Sequence, residues 1–177
     1  FAAGLSLRAG ALGGIADYLG GPEDANALFA RVSAFNDSLR VLSNAPDNIA
    51  AQSAAVDSSK SLALALNQAG AMLDGRREDA DAAIASQVDA VNAALKSIES
   101  LNDSVVRATT AGQDASALLD ERDRQIEIVN AAIPVRLLTR EGGRVDLMTA
   151  DGGLLLSGTA KRIEFSPSPI ITPDMTF

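Results

Sequence analysis

The stretch that decides the fold is Ile84–Ala108, which reads I-A-S-Q-V-D-A-V-N-A-A-L-K-S-I-E-S-L-N-D-S-V-V-R-A. Its apolar side chains recur at alternating steps of four and three residues, the spacing of a helix that packs against another helix. The predicted helix-packing stripe consists of Ile84, Val88, Val91, Leu95, Ile98 and Val105. Asn102 takes one inward position of the same stripe. A buried amide there would fix the register between helices, whereas an amide at the edge of the contact would stay solvated.

The helix that carries this stripe is predicted to be very long. No proline occurs between Pro46 and Pro134, and residues 46–108 are rich in Ala, Leu, Gln, Lys, Arg and Glu, which favour helix. We therefore predict one helix over 46–108, with Pro46 in the first turn, where a proline is tolerated. At about 1.5 Å per residue, such a helix would be about 90 Å long.

The middle of this helix interrupts the repeat. The seven-residue spacing runs back from Ile84 to Val56 and Ile49, but between them the apolar residues shift to Leu62, Leu66, Ala69 and Leu73. Such a shift is typical of a stutter in the repeat or of a change in packing partner. Gly70 and Gly75 lie next to it and are the places where the helix could bend.

Three shorter helices are predicted, over 5–19, 25–43 and 115–132. Asp24 is suited to cap the second of them, because its carboxylate can accept a hydrogen bond from a free backbone N–H. The apolar stripe of that helix consists of Leu28, Val32, Phe35, Leu39 and Leu42. The apolar face of the third helix consists of Leu118, Leu119, Ile126, Val129 and Ile133, and its charged run Asp120–Arg124 is expected to face solvent.

After Pro134 the helical spacing ends, and apolar and polar residues alternate as is typical of short strands. The predicted strands are Val135–Thr139, Val145–Thr149, Leu154–Leu156 and Ile163–Phe165, with turns at Glu141–Gly143 and Asp151–Gly153. A meander this thin cannot bury a core of its own. We therefore predict a mainly α fold, a long-helix antiparallel bundle or coiled-coil-like rod over 1–134, with a β-hairpin region over 135–177 that begins an outer β domain.

The composition excludes several classes of function. The chain has 177 residues, a net charge of −8, no cysteine and no histidine. Nucleic-acid binding needs clustered Lys and Arg, and zinc sites or His-based catalysis need residues that are missing here. No apolar run is long enough to span a membrane. We predict no catalytic residue, no cofactor and no metal site.

The densest candidate for metal chemistry is a carboxylate cluster near the start of the third short helix; the acidic group Asp74, Glu78, Asp79 and Asp81 and the turn Asp151–Gly153 are weaker candidates, interpreted as a charged helix surface and a hairpin turn. Asp120, Asp123 and Glu127 share a helical face, but Arg122 and Arg124 lie among them. Interleaved charges of opposite sign indicate a solvated, ion-paired surface rather than a metal site with unspent negative charge.

The segment Ala93–Leu138 resembles a known family. Its long helix ends in Ile98-Glu99-Ser100-Leu101-Asn102, a Gly/Asp loop follows, and the next helix opens with Leu118-Leu119-Asp120-Glu121-Arg122-Asp123 before a turn into strands. This order resembles the FlgK family, the first hook-associated proteins of the bacterial flagellum. Phe35–Pro46 and Asp151–Gly158 resemble other parts of the same family, so the resemblance extends over nearly the whole chain.

The resemblance implies a structural, non-enzymatic role at the junction between flagellar hook and filament. Its family motif falls on Leu118, Leu119, Asp120, Arg122 and Asp123. The implied partners are the hook protein, other hook-associated proteins and, in the full-length protein, further copies in a ring. The implied location is extracellular, after export by the flagellar type III apparatus, and the family's terminal assembly helices are not expected in this chain. Two alternatives stay open: another axial flagellar protein, such as flagellin or the third hook-associated protein, and a signalling coiled coil.

Overall fold

Helices dominate the computed structural model, which describes residues 9–10, 12–16, 20, 24 and 27–167. The elements are α1 (Leu28–Asn44), α2 (Ile49–Thr110), α3 (Ser116–Ala132), β1 (Val135–Thr139), β2 (Val145–Thr149), β3 (Leu154–Ser157) and β4 (Thr159–Ala160). The predicted fold class, mainly α with one long helix and a small C-terminal sheet, is confirmed.

The long helix α2 has 62 residues and continues through both Gly70 and Gly75. The prediction that Pro46 lies in its first turn is wrong, because the helix begins three residues later. Asn48 caps it instead: its Oδ1 accepts hydrogen bonds from the backbone N–H groups of Ala50 (2.9 Å) and Ala51 (3.2 Å). A side-chain amide that accepts hydrogen bonds from two free N–H groups fixes the start of the helix better than a proline, which is only tolerated in the first turn.

The start of α1 also differs from the prediction. Its N-cap position is Ala27, whose side chain makes no capping hydrogen bond, so Asp24 does not occupy the N-cap position predicted for it. The carbonyl of Asp24 accepts a hydrogen bond from the N–H of Ala27 at 3.0 Å, which forms a turn before the helix. Of the helix predicted over 5–19, residues 9–10 and 12–16 are helical, and its other residues lie outside the described ones.

The chain forms two compact units that divide inside α2. Of the described residues, those up to Asp79 belong to the first unit and residues 80–167 belong to the second. The described strands, α3 and the second half of α2 lie in the second unit. Whether residues 135–177 begin a separate outer β domain stays a prediction.

In the first unit, α1 and α2 meet through small and polar side chains. The buried residues in the described part of this unit are Ala27, Ala51 and Ala55. Ser38 and Ser58 share a hydrogen bond of 2.7 Å, and the Nη1 atom of Arg31 donates to Ser61 Oγ at 3.0 Å. The large apolar residues of the predicted stripes are divided: Leu28, Phe35, Leu42, Leu62 and Leu73 are half-buried, and the exposed ones are Ile49 (77%), Val56 (50%), Leu66 (52%), Leu39 (42%) and Val32 (39%). The hydrogen bonds between the two helices thus lie along a different line of α2 from the exposed apolar residues, the line that also carries Ala51 and Ala55.

The second unit has a core shared by α2, α3 and the sheet. The buried residues are Val91, Ala94, Leu95, Ile98, Ile126, Val129, Val145, Leu147 and Leu156. The meander buries its inward face against the two helices, which supply the apolar surface that a thin sheet lacks.

The sheet is a purely antiparallel meander in the order β1-β2-β3-β4. The first two strands have the predicted bounds, and the third is one residue longer. The predicted strand Ile163–Phe165 is wrong, because the fourth strand is Thr159–Ala160 and residues 161–167 have no regular secondary structure. Ile163 instead pairs its main chain with the side chain of Asn92, at 2.8 and 2.9 Å.

Candidate functional site

Asn102 lies buried where α2 meets the sheet, with 4% of its surface exposed. Its Nδ2 donates to the carbonyl of Val145 at 2.8 Å, and the N–H of Val145 donates to its Oδ1 at 3.1 Å. The amide therefore pairs with the first residue of β2 as a neighbouring strand would. The predicted burial of this residue is thus confirmed, its main-chain partner is Val145 of the sheet, and a role in fixing the register between helices stays a prediction.

Arg122 lies beside Asn102 and is 7% exposed. Its Nη1 donates to Asn102 Oδ1 at 3.1 Å and to the carbonyl of Gly143 at 2.7 Å. Burial lowers the pKa of Arg122 from its ordinary value, against an opposing contribution from the charge of Asp123. Within the described part of the chain, the Nε of Arg122 has no hydrogen-bond partner. Arg122, Asn102, Gly143 and Val145 are called the Asn–Arg cluster below.

The prediction that the whole run Asp120–Arg124 faces solvent is wrong for Arg122. This residue comes four positions after Leu118 and four before Ile126, so it falls on the inward face of α3. The other residues of the run behave as predicted: Asp120 and Asp123 are exposed, and Glu121 forms an ion pair with Arg124.

The turn between β1 and β2 brings the carbonyl of Gly143 to the cluster. Gly142 and Gly143 have φ angles of 72° and 80°, which side-chain-bearing residues adopt rarely. A Cβ atom on Gly142 would lie 3.4 Å from a methyl group of Val106 on α2. The predicted glycine turn is thus confirmed, and its left-handed backbone allows it to lie close against the helix.

Two further side chains of α2 hold the main chain of the β region. Asn92 pairs with both backbone groups of Ile163, and Glu99 Oε2 accepts a hydrogen bond from the N–H of Ala160 at 2.8 Å. A hydrogen bond from Lys96 is the main cause that lowers the pKa of Glu99, and the Ala160 N–H adds to it. With Asn102, these residues attach α2 to three separate points of the segment 145–163.

The predicted stripe and motif residues fall in different environments. Val91, Leu95, Ile98 and Val105 are at most 2% exposed, whereas Val88 is half-buried and Ile84 is 39% exposed. Of the motif, Arg122 is buried and Leu118 half-buried, while Leu119, Asp120 and Asp123 are exposed. The structure thus brings Arg122 to Asn102 but does not gather the other motif residues around it. Their functional role stays a prediction.

Sequence reasoning missed the hydrogen bonds of Asn92 and Glu99 to the main chain and the role of the Gly143 carbonyl as an acceptor. Asn92 directly follows the stripe residue Val91, so its position beside a predicted buried stripe could have indicated a polar contact. The arrangement as a whole positions backbone and offers no reactive group. Among the described residues, no three Asp, Glu, His or Cys side chains are grouped to hold a metal ion. No helix in this part of the chain is long and apolar enough to cross a bilayer.

Comparison with known proteins gives consistent matches. The family model described as "Flagellar hook-associated protein FlgK helical domain" matches residues 12–176. Flagellar hook-associated protein 1 of Escherichia coli (strain K12) is 30% identical over 146 residues, which cover 81% of this chain and 27% of that protein. The Salmonella typhimurium (strain LT2) protein of the same name is 29% identical over 149 residues, 82% of this chain and 27% of that protein.

A solved structure has the same fold. The flagellar hook junction protein FlgK from Burkholderia pseudomallei superposes with a TM-score of 0.76 at 21% sequence identity, over 87% of this chain and 27% of that one. The chain therefore spans about a quarter of the length of the relatives it matches.

Proposed function

Because this chain belongs to the family of the flagellar hook-associated protein FlgK helical domain, we propose that it is a structural part of the bacterial flagellum at the junction between hook and filament. The match over residues 12–176 is the observation that carries this proposal. The names of the relatives, hook-associated protein and hook junction protein, support the same assignment.

The proposed role is mechanical and needs no catalytic residue. In it, the helices pack against neighbouring axial subunits, namely the hook protein and other hook-associated proteins, and the full-length protein associates with itself in a ring. Exposed apolar side chains on α1 and on the first half of α2, among them Phe29, Val41 and Leu64, support packing of this kind. The proposed location is extracellular, after export by the flagellar type III apparatus.

The Asn–Arg cluster has a defined part in this proposal. It ties α2, α3 and the β1–β2 hairpin together. Arg122 donates to the side chain of Asn102 and to the carbonyl of Gly143, and Asn102 donates to the carbonyl of Val145. A subunit that transmits load between hook and filament needs its helices and sheet in one fixed arrangement. We assign the motif residue Arg122 to that positioning task.

The test is deletion of the gene, followed by electron microscopy of isolated hook structures. The expected result is hooks without attached filaments, with recovery of filaments when the full-length gene is returned. Normal filaments on hooks from the deletion strain would contradict the proposal. Loss of the filament with an intact junction would instead indicate a flagellin-like protein.

A pair of variants links the structure to this assay. The full-length gene with Arg122→Ala should restore filaments less well than the gene with Arg124→Ala, because Arg122 is buried whereas the Arg124 side chain is largely exposed. Immunoblotting of both exported proteins separates a defect in the junction from a loss of protein.

A further inference from the structure

We draw no further inference here: the strongest candidate, the exposed apolar surface formed by Phe29, Val32, Leu39 and Val41 on α1 and by Ile49 and Val56 on α2, carries nothing because nothing in the structure shows what covers it.

Discussion

Arg122 holds a guanidinium group on the inward face of α3, where a hydrophobic side chain would ordinarily pack. Taking a charge out of water costs several kcal/mol, and hydrogen bonds to a charged group return about 1.5–3 kcal/mol each. The charge is therefore stable here only while its two acceptors, Asn102 Oδ1 and the Gly143 carbonyl, stay in place. Such a residue favours one arrangement of helix and turn over other compact ones.

Replacing Arg122 with alanine is expected to lower the free energy of unfolding by about 2–4 kcal/mol, since it creates a cavity and removes the donor to Asn102 Oδ1 and to the Gly143 carbonyl. Arg124→Ala, two residues along the same helix, removes an exposed ion pair and should change stability by at most about 1 kcal/mol. Urea unfolding followed by circular dichroism measures both.

A double-mutant cycle with Asn102→Ala sharpens this experiment. If the two side chains act through their shared hydrogen bond, the losses should be non-additive by about 0.5–3 kcal/mol. Equal, small effects of Arg122→Ala and Arg124→Ala, or additive effects in the cycle, would show that the cluster does not hold the helices to the sheet.

Sequence spacing predicts the hydrophobic part of this site and misses the polar part. The four-three repeat predicts the burial of Val91, Leu95 and Ile98, because hydrophobic residues that share one helical face can be buried together. Arg122 occupies the same kind of position, but arginine is mostly exposed in proteins, so residue type argues against burial. Its acceptor at Gly143 comes from a turn 21 residues away, which helical spacing cannot reveal.

Asp146 is a buried carboxylate on β2, with 6% of its surface exposed. Its hydrogen bonds link Arg140, which follows β1, to Ser157 and Gly158, which lie where β3 turns into β4. A hydrogen bond from Arg140 Nε at 2.8 Å is the main cause that lowers the pKa of Asp146, and the Gly158 N–H and Ser157 hydroxyl add to it against the cost of burial. A lowered folded-state pKa means that the unfolded chain binds its proton first as pH falls.

The stabilisation from Asp146 is therefore complete above the ordinary aspartate pKa of 3.8 and is lost as pH falls from there through the lower folded value. Asp146→Asn should reduce stability at neutral pH and flatten the acid limb of the stability curve. Asp120→Asn, at an exposed position on α3, is the matched control. An unchanged acid limb in Asp146→Asn would overturn the assignment.

At the scale of elements, the hydrogen bonds between α1 and α2 lie along a line of α2 whose buried residues are Ala51 and Ala55. Ala55 is 7% exposed, whereas its neighbour Ala54 is exposed. Ala55→Leu should force the helices apart and cost about 1–3 kcal/mol, while Ala54→Leu should stay within about 0.5 kcal/mol. Thermal unfolding of the two variants checks this, and equal midpoints would show that the alanine contact is absent in solution.

Strand prediction succeeds where the partner is another strand. β1 and β2 follow from alternation on either side of the Glu141–Gly143 turn, and their register Val135↔Thr149 to Thr139↔Val145 is regular. Ile163–Phe165 alternates in the same way, but its backbone partner is the side chain of Asn92. Alternation of apolar and polar residues indicates an extended backbone with two different faces. It does not indicate which groups form hydrogen bonds with that backbone.

At the scale of the whole molecule, one helix passes through two units with very different cores. Around residues 91–105, α2 packs on α3 and the sheet through several fully buried Leu, Ile and Val side chains. In its first half, the buried residues among those described are Ala51 and Ala55. Local opening costs most where most apolar surface is buried, so a single continuous helix should have two levels of stability.

Hydrogen exchange followed by mass spectrometry tests this directly. Amides in residues 91–105 should exchange at least about tenfold more slowly than amides in residues 56–79 of the same helix. Leu95→Ala should cost about 2–5 kcal/mol and speed exchange in 91–105, while 56–79 should change little because the deleted contacts lie in the second unit. Uniform protection along α2, or equal acceleration of both segments by Leu95→Ala, would mean that the helix opens as one cooperative unit, because loss of packing at one end would then be felt along its entire length.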